Sequence, residues 1–182
     1  EETAVTNDAV LKEAAAKLQP FDWWPYTPGA SFNAMIAPVT NYTIAGALWY
    51  QGESNTAAPD SYAKLLTALI GSWRKAWKKD FPFYYVQIAP FAYDNKFTSA
   101  IVREQQTKAM AVPNVGMVVI TDLVDNIKDI HPKNKHDVGY RLAAWALAET
   151  YHQTGITYKN PVFQSMEIKK ENIIISFANA PT

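Results

Sequence analysis

Gly46-Ala47-Leu48-Trp49-Tyr50-Gln51-Gly52-Glu53-Ser54-Asn55 is the stretch that decides how this chain reads. An apolar run breaks at Tyr50 into an amide, a glycine, a carboxylate, a hydroxyl and a second amide. Apolar runs of this length, closed by a turn residue, read as buried strands. Polar groups crowded at the C-terminal end of such a strand mark where open α/β sheets hold their ligands. The first strand is therefore expected over Thr43–Tyr50, with residues 51–55 at the rim of a site.

Outward from there the periodicity alternates. Pro59 and Asp60 open a helix whose Tyr62, Leu65, Leu66, Leu69 and Trp73 share one face. Arg74, Lys75, Lys78 and Lys79 crowd its end and read as a solvated terminus that suits the negative helix pole. Phe83–Ala89 is a second apolar strand, stopped by Pro90. Thr98–Val112 is a helix with Ile101, Gln105, Lys108 and Ala109 at helical spacing. Val115–Thr121 is a third strand, followed by a polar loop from Asp122 to Pro132. A long helix follows from Asn134 to about His152, with Val138, Leu142, Trp145 and Ala146 inward. Strands without alternation, interleaved with helices, predict a three-layer αβα, doubly wound parallel sheet, here in partial form. Phe163–Lys169 and Ile173–Phe177 flank Lys170-Glu171-Asn172 and predict a β-hairpin. The division expected is a partial α/β domain over 1–155 and a hairpin over 156–182 that begins a further β region.

Upstream, residues 7–18 have helical spacing, closed by Pro20. Residues 20–29 hold three prolines, a glycine and four aromatics, and form a loop: either a ligand wall or an apolar flap. Residues 32–39 read as a short helix or an extended piece broken by Pro38.

Composition narrows the function. Hydrophobic residues make up 48% of the 182, enough for a real core. Seventeen basic residues balance seventeen acidic ones, whereas a nucleic-acid partner calls for a basic excess. With no cysteine, thiol nucleophiles, disulfides and thiolate metal sites are excluded. No apolar run reaches the roughly 18 residues of a membrane helix. Glu1 is not an initiator and no leader pattern is visible, so the chain is expected to be part of a longer product.

Of the three histidines, His136 and His152 lie on the last helix and suit surface or packing roles. His131 lies in the loop after the third strand, two residues beyond Asp129. A catalytic imidazole needs a carboxylate to fix its tautomer and stabilise its charged form. Gln51 and Asn55 offer amide donors, Gly52 permits close backbone approach, and together they suit an oxyanion hole. Glu53 adds a carboxylate at the same strand end. Loops after the first and third strands open on one sheet edge, so the two clusters can meet. Three scattered histidines do not make a metal site, and no cofactor is called for.

Trp49-Tyr50-Gln51-Gly52-Glu53-Ser54-Asn55, Asp129-Ile130-His131-Pro132-Lys133-Asn134-Lys135 and Val138-Gly139-Tyr140-Arg141-Leu142-Ala143 together strongly resemble the sialate O-acetylesterase family. Phe32-Asn33-Ala34-Met35-Ile36-Ala37-Pro38 resembles the segment those enzymes carry ahead of the Gln-Gly-Glu motif. The likeness runs from about residue 30 to 152, in order. It implies an SGNH-type fold and removal of acetyl groups from sialic acids, with acetylxylan esterases as near relatives. It implies His131 as general base, Asp129 as its partner, Gln51 in the oxyanion hole, and Asn55 and Asn33 in substrate contact. Glu53 either orients the histidine or buttresses the turn. The implied partner is an acetylated carbohydrate, and the implied location is periplasmic or secreted.

Three departures stand out. The spacing is Asp-x-His in place of Asp-x-x-His. The block Gln-Gly-Glu-Ser-Asn replaces Gly-x-Asn, leaving Gln51 and Asn55 as alternatives. The family's Gly-Gln-Ser-Asn nucleophile segment is absent, and Ser54 is not the family's nucleophile. The chain is thus expected to complete its site with an N-terminal part of the same polypeptide or with another chain. Rival readings are acetylxylan esterase, a carbohydrate-binding module using the aromatics of 21–26, and an interaction domain without chemistry.

Overall fold

The computed structural model describes residues 27–93 and 97–180. The helix expected over 7–18 and the aromatic loop up to Tyr26 lie outside these residues. The chain divides into two compact units, Glu1–Thr43 and Ile44–Thr182.

In the first unit, Phe32–Ile36 and Ala37–Val39 form two successive helical turns. Pro38 does not break them, because it sits at the start of the second turn, where its missing N–H costs nothing. The Thr40 hydroxyl closes that turn on the Ala37 carbonyl at 2.8 Å.

The second unit is built on three parallel strands, β1 (Ala47–Trp49), β2 (Phe83–Val86) and β3 (Val115–Val118), in the order β1-β2-β3. Helix α1 (Tyr62–Trp77) joins the first two strands and α2 (Thr98–Ala109) the next two. Phe83 and Tyr85 of β2 pack with Tyr62, Leu66, Ile70 and Val102 of those helices. Tyr84 and Val86 point the other way, against Val138, Leu142 and Trp145 of α3 (Lys135–Trp145). Alternate residues of one buried strand thus feed two cores, and the fold is the expected α/β arrangement with helices on both faces.

Each strand is shorter than expected, for reasons visible in the hydrogen bonds. Beyond Val86 the ladder passes to a side chain. The Gln106 amide donates to the Val86 carbonyl at 3.2 Å and accepts from the Ile88 N–H at 2.9 Å. Ahead of β1, the Lys79 ammonium takes the Ile44 carbonyl at 2.8 Å. β1 is also not buried on both faces, since Leu48 is 63% exposed.

Helix faces shift by one position from the sequence reading. On α1, Ile70 is buried and Leu65 is exposed. On α2 the inward residues are Ser99, Val102, Gln106 and Ala109, while Lys108 pairs with Glu104 at the surface. Arg74 is not a solvated charge. It donates to the carbonyls of Phe81, Pro113 and Asn114 and pairs with Asp80 at 2.8 Å. Helix α3 stops at Trp145 and continues as a wider turn, Ala146–Thr150. Trp145 lies across Gly116 of β3 so closely that any Cβ there would overlap the indole.

The hairpin forms as expected, from β4 (Val162–Lys169) and β5 (Asn172–Ala178). Lys170 adopts φ 56° in its tight turn. Phe163, Met166, Ile168, Ile173, Ile175 and Phe177 are all exposed.

Candidate active site

The end of β1 is fixed from below by Tyr62, at the start of α1. Its hydroxyl donates to the Gln51 backbone carbonyl at 2.8 Å and lies 3.5 Å from the Gln51 side-chain oxygen. Burial raises the Tyr62 pKa, which keeps this donor protonated. The chain then turns at Gly52, with φ +150°, where an added Cβ would lie 2.7 Å from the Ile88 side chain. Only glycine fits such a conformation in such a space. Glu53–Ala57 follows as a helical turn, tied by the Thr56 hydroxyl to the Glu53 carbonyl at 2.8 Å.

The loop after β3 is anchored at three points. At its start Arg141 of α3 grips Asp122 with both terminal nitrogens, at 2.8 and 2.5 Å, and donates to the Val119 carbonyl at 2.6 Å. This guanidinium holds the Asp122 carboxyl below its ordinary value. In the middle, the Ala92 N–H bonds the Ile127 carbonyl at 2.8 Å. At its end Asn134 caps α3, accepting the Asp137 N–H at 3.1 Å and donating to the Asp137 carboxylate at 2.7 Å.

Between the two segments lies a cavity of about 430 Å³ lined by Tyr50, Glu53, Ser54, Ile130, His131 and Lys135. The strand-end cluster and the histidine loop do meet. Glu53 and His131 share this cavity. Asp129 does not line it; its Oδ1 accepts the backbone N–H of His131 at 2.9 Å, so it shapes the loop directly. Among the described residues no carboxylate comes within 4.0 Å of the His131 imidazole. Gln51 and Asn55 are bonded to each other, Nε2 to Oδ1 at 2.8 Å, and neither is among the lining residues. Asn33 belongs to the first unit, where its backbone N–H bonds the Gly29 carbonyl at 2.8 Å.

Two lining residues escape the sequence reading. Tyr50 looks like the last residue of a strand, yet its ring forms a wall. Burial, and then the Glu53 charge, push its hydroxyl up to about 12, so it stays neutral. Lys135 looks like an ordinary helix residue, but its ammonium sits 4.6 Å from the Tyr50 ring centroid. A lysine opening a helix is the signal that could have found it. A larger cleft of about 570 Å³ lies on the opposite flank of α3. Its cations are already paired, Arg141 with Asp122 and Lys159 with Glu149.

Residues 18–148 match the family described as carbohydrate esterase, sialic acid-specific acetylesterase. The rat sialate O-acetylesterase is 32% identical over 172 residues, covering 84% of this chain and 32% of that protein. The human sialate O-acetylesterase is 33% identical over 159 residues, covering 75% and 30%. A solved carbohydrate acetylesterase from Xanthomonas citri superposes with a TM-score of 0.73 at 36% identity, covering 81% of this chain and 35% of that one. The chain therefore spans about a third of the length of these relatives. By this match, carried on the same segments that build the cavity, the chain belongs to the sialic acid-specific carbohydrate esterase family.

Proposed function

We propose that this chain supplies the histidine side of a carbohydrate O-acetylesterase. The observation that carries the reading is the shared cavity, which joins Glu53 at the end of β1 to His131 in the loop after β3. In the proposed reaction a serine hydroxyl attacks the acetyl carbonyl. His131 takes the serine proton and returns it to the sugar oxygen as that bond breaks. Water, deprotonated by the same imidazole, then attacks the acetyl-enzyme and releases acetate. Gln51 retains one amide hydrogen beyond the bond to Asn55, and Asn55 retains its own amide; these are the proposed oxyanion donors. Asp129 and Glu53 are the carboxylates proposed to steady the imidazole. No metal or cofactor enters the reaction.

The nucleophile is proposed to lie outside these 182 residues, on a segment that pairs along β1. Among the described residues β1 has one hydrogen-bonded neighbour, and Leu48 is exposed beside it. Ser54 offers a second reading because it lines the same cavity as His131. Export to the periplasm or the medium belongs to the same proposal and rests on the family alone.

The test is acetate release from O-acetylated sugars by protein made from the whole coding sequence. His131→Ala is expected to lower kcat by at least about a thousandfold, the scale of losing a catalytic base. Ser54→Ala is expected to retain most of the activity; its abolition would put the nucleophile in this chain. Full turnover by His131→Ala would remove His131 as the base, and no acetate release by the unaltered protein would end the esterase reading.

A further inference from the structure

At Gln51 the chain of β1 leaves the sheet, and two side chains take over its bonds. Residues along β2 alternate between neighbours. The Pro82 carbonyl accepts the Ala47 N–H of β1 at 2.9 Å, and the Gln87 N–H donates to Val118 of β3 at 2.9 Å. A parallel ladder advances two residues per step. Carried on from Ala47, it would set the Gln51 N–H on the Val86 carbonyl and the Gln51 carbonyl on the Ile88 N–H. Instead the Gln51 carbonyl accepts the Tyr62 hydroxyl at 2.8 Å. The two β2 groups go to Gln106, whose Nε2 donates to Val86 at 3.2 Å and whose Oε1 accepts from Ile88 at 2.9 Å. A primary amide offers a donor and an acceptor side by side, the same pair as a peptide. Gln106 therefore stands in the ladder where Gln51 would have stood.

Its setting ties this exchange to the turn that follows. Gln106 is 0% exposed, on the α2 face it shares with Val102 and Ala109. The Tyr85 hydroxyl donates to its backbone carbonyl and fixes the helix at that point. Its side chain also reaches Tyr62, where burial raises the hydroxyl pKa and the Gln106 amide opposes that rise. A Cβ added at Gly52 would meet Ile88 Cγ2 at 2.7 Å and the Tyr62 ring at 3.2 Å. The Gly52 turn thus rests on Ile88 and Tyr62, and Gln106 acts on both. Helix α2 itself packs against Glu53–Ala57.

We propose that Gln106 is a positioning residue for the candidate active site: by replacing Gln51 in the ladder it releases the end of β1 from the sheet and sets where Gln51, Gly52 and Glu53 stand. It touches no reacting atom. Its effect passes through Ile88 and Tyr62 to the turn, so it bears on groups that act in the transition state more than on substrate binding. The inference rests on the esterase reading only for its kinetic readout.

The test compares acetate release by variants of protein made from the whole coding sequence. Gln106→Met keeps the volume and removes both polar atoms. It is expected to lower kcat about 10- to 100-fold, the scale of leaving buried partners unpaired, with KM within about twofold. Val102→Ala, a cavity on the same helix face, should lower the melting temperature and keep kcat within about twofold. Gln106→Glu adds a pH readout. Burial raises its carboxyl pKa, and below that value the acid donates to Val86 and accepts from Ile88 as the amide does. Its kcat relative to the unaltered protein should rise as pH falls and drop as the carboxyl ionises. The titratable neighbours Tyr62 and Tyr85 are both raised by burial and stay neutral throughout. This variant has the shape of the original and is read at its acid end even where Gln106→Met does not fold. Unchanged kcat in Gln106→Met, an equal kcat loss in Val102→Ala, or a pH-independent ratio for Gln106→Glu would overturn the role. No acetate release by the unaltered protein would remove the esterase reading instead. The backbone amide shifts of Gly52 to Asn55 then decide: they should follow the Gln106→Glu titration and ignore Val102→Ala, and shifts that ignore the titration would overturn the positioning role.

Discussion

The hydroxyl of Tyr62 is the residue-scale link between core and site. It belongs to a 2%-exposed side chain, yet it bonds the backbone of Gln51, a proposed oxyanion donor. Tyr62→Phe keeps the ring against Gly52 and leaves the Gln51 carbonyl without its buried partner, at a cost of about 1–3 kcal/mol. The expected result is a kcat reduced roughly tenfold or more, on the same energetic scale, with KM little changed. Gln51→Ala should lower kcat too, and adding Tyr62→Phe to it should cost little further, because the two act through one group. Additive losses in that double-mutant cycle would mean that Tyr62 serves stability alone. The sequence shows Tyr62 as a helix-face residue, which it is. What its hydroxyl does is hidden, because the partner is a backbone atom eleven residues away.

At the scale of elements, the loop from Thr121 to Asn134 carries His131, and Arg141 holds its first turn. A bidentate guanidinium fixes direction as well as distance, which an ammonium cannot do. Arg141→Met is thus expected to lower kcat several-fold to a hundredfold through misplacement of His131, and Arg141→Lys should rescue it poorly. The clamp also has a pH limit. Asp122 has its folded pKa depressed by Arg141, so the stabilisation is fully present above the ordinary carboxylate value. It is lost only as pH falls through the depressed value. Thermal melts of Arg141→Met and of the unaltered protein should therefore differ at neutral pH and converge in strong acid; a difference unchanged by acid would sink this account.

Element existence was legible because the strands are unbroken apolar runs and the helices repeat their apolar residues at helical spacing. Faces and ends were less so. Gln105 is the glutamine that the spacing places on the helix face, but it is the amide of Gln106 that replaces two ladder bonds and is fully buried. Leu65 reads as inward, but the buried stripe is centred nearer Leu66 and Ile70. Cavity residues carrying unusual chemistry, His131 and Glu53, stood out, whereas Lys135 needed three dimensions to be noticed.

On the scale of the whole molecule, the hairpin is the exposed apolar feature. Register places Phe163 opposite Phe177, Met166 opposite Ile175 and Ile168 opposite Ile173, one apolar face with all six side chains exposed. Contiguous apolar patches of this kind bind hydrophobic dyes and promote association. Ile173→Lys together with Ile175→Lys is expected to reduce dye fluorescence and self-association while leaving the melting temperature near its starting value. A large drop in melting temperature would show that the face is packed in solution.

Arg74 sits at the other end of the sheet from the cavity. Its contacts to Phe81, Pro113 and Asn114 all precede the first residues of β2 and β3. One cation thereby stitches the starts of two strands, while their far ends open into loops. The sheet behaves like a book bound along its spine: the spine keeps the spacing of the pages, and the fore-edge is left to adjust to whatever is placed between them.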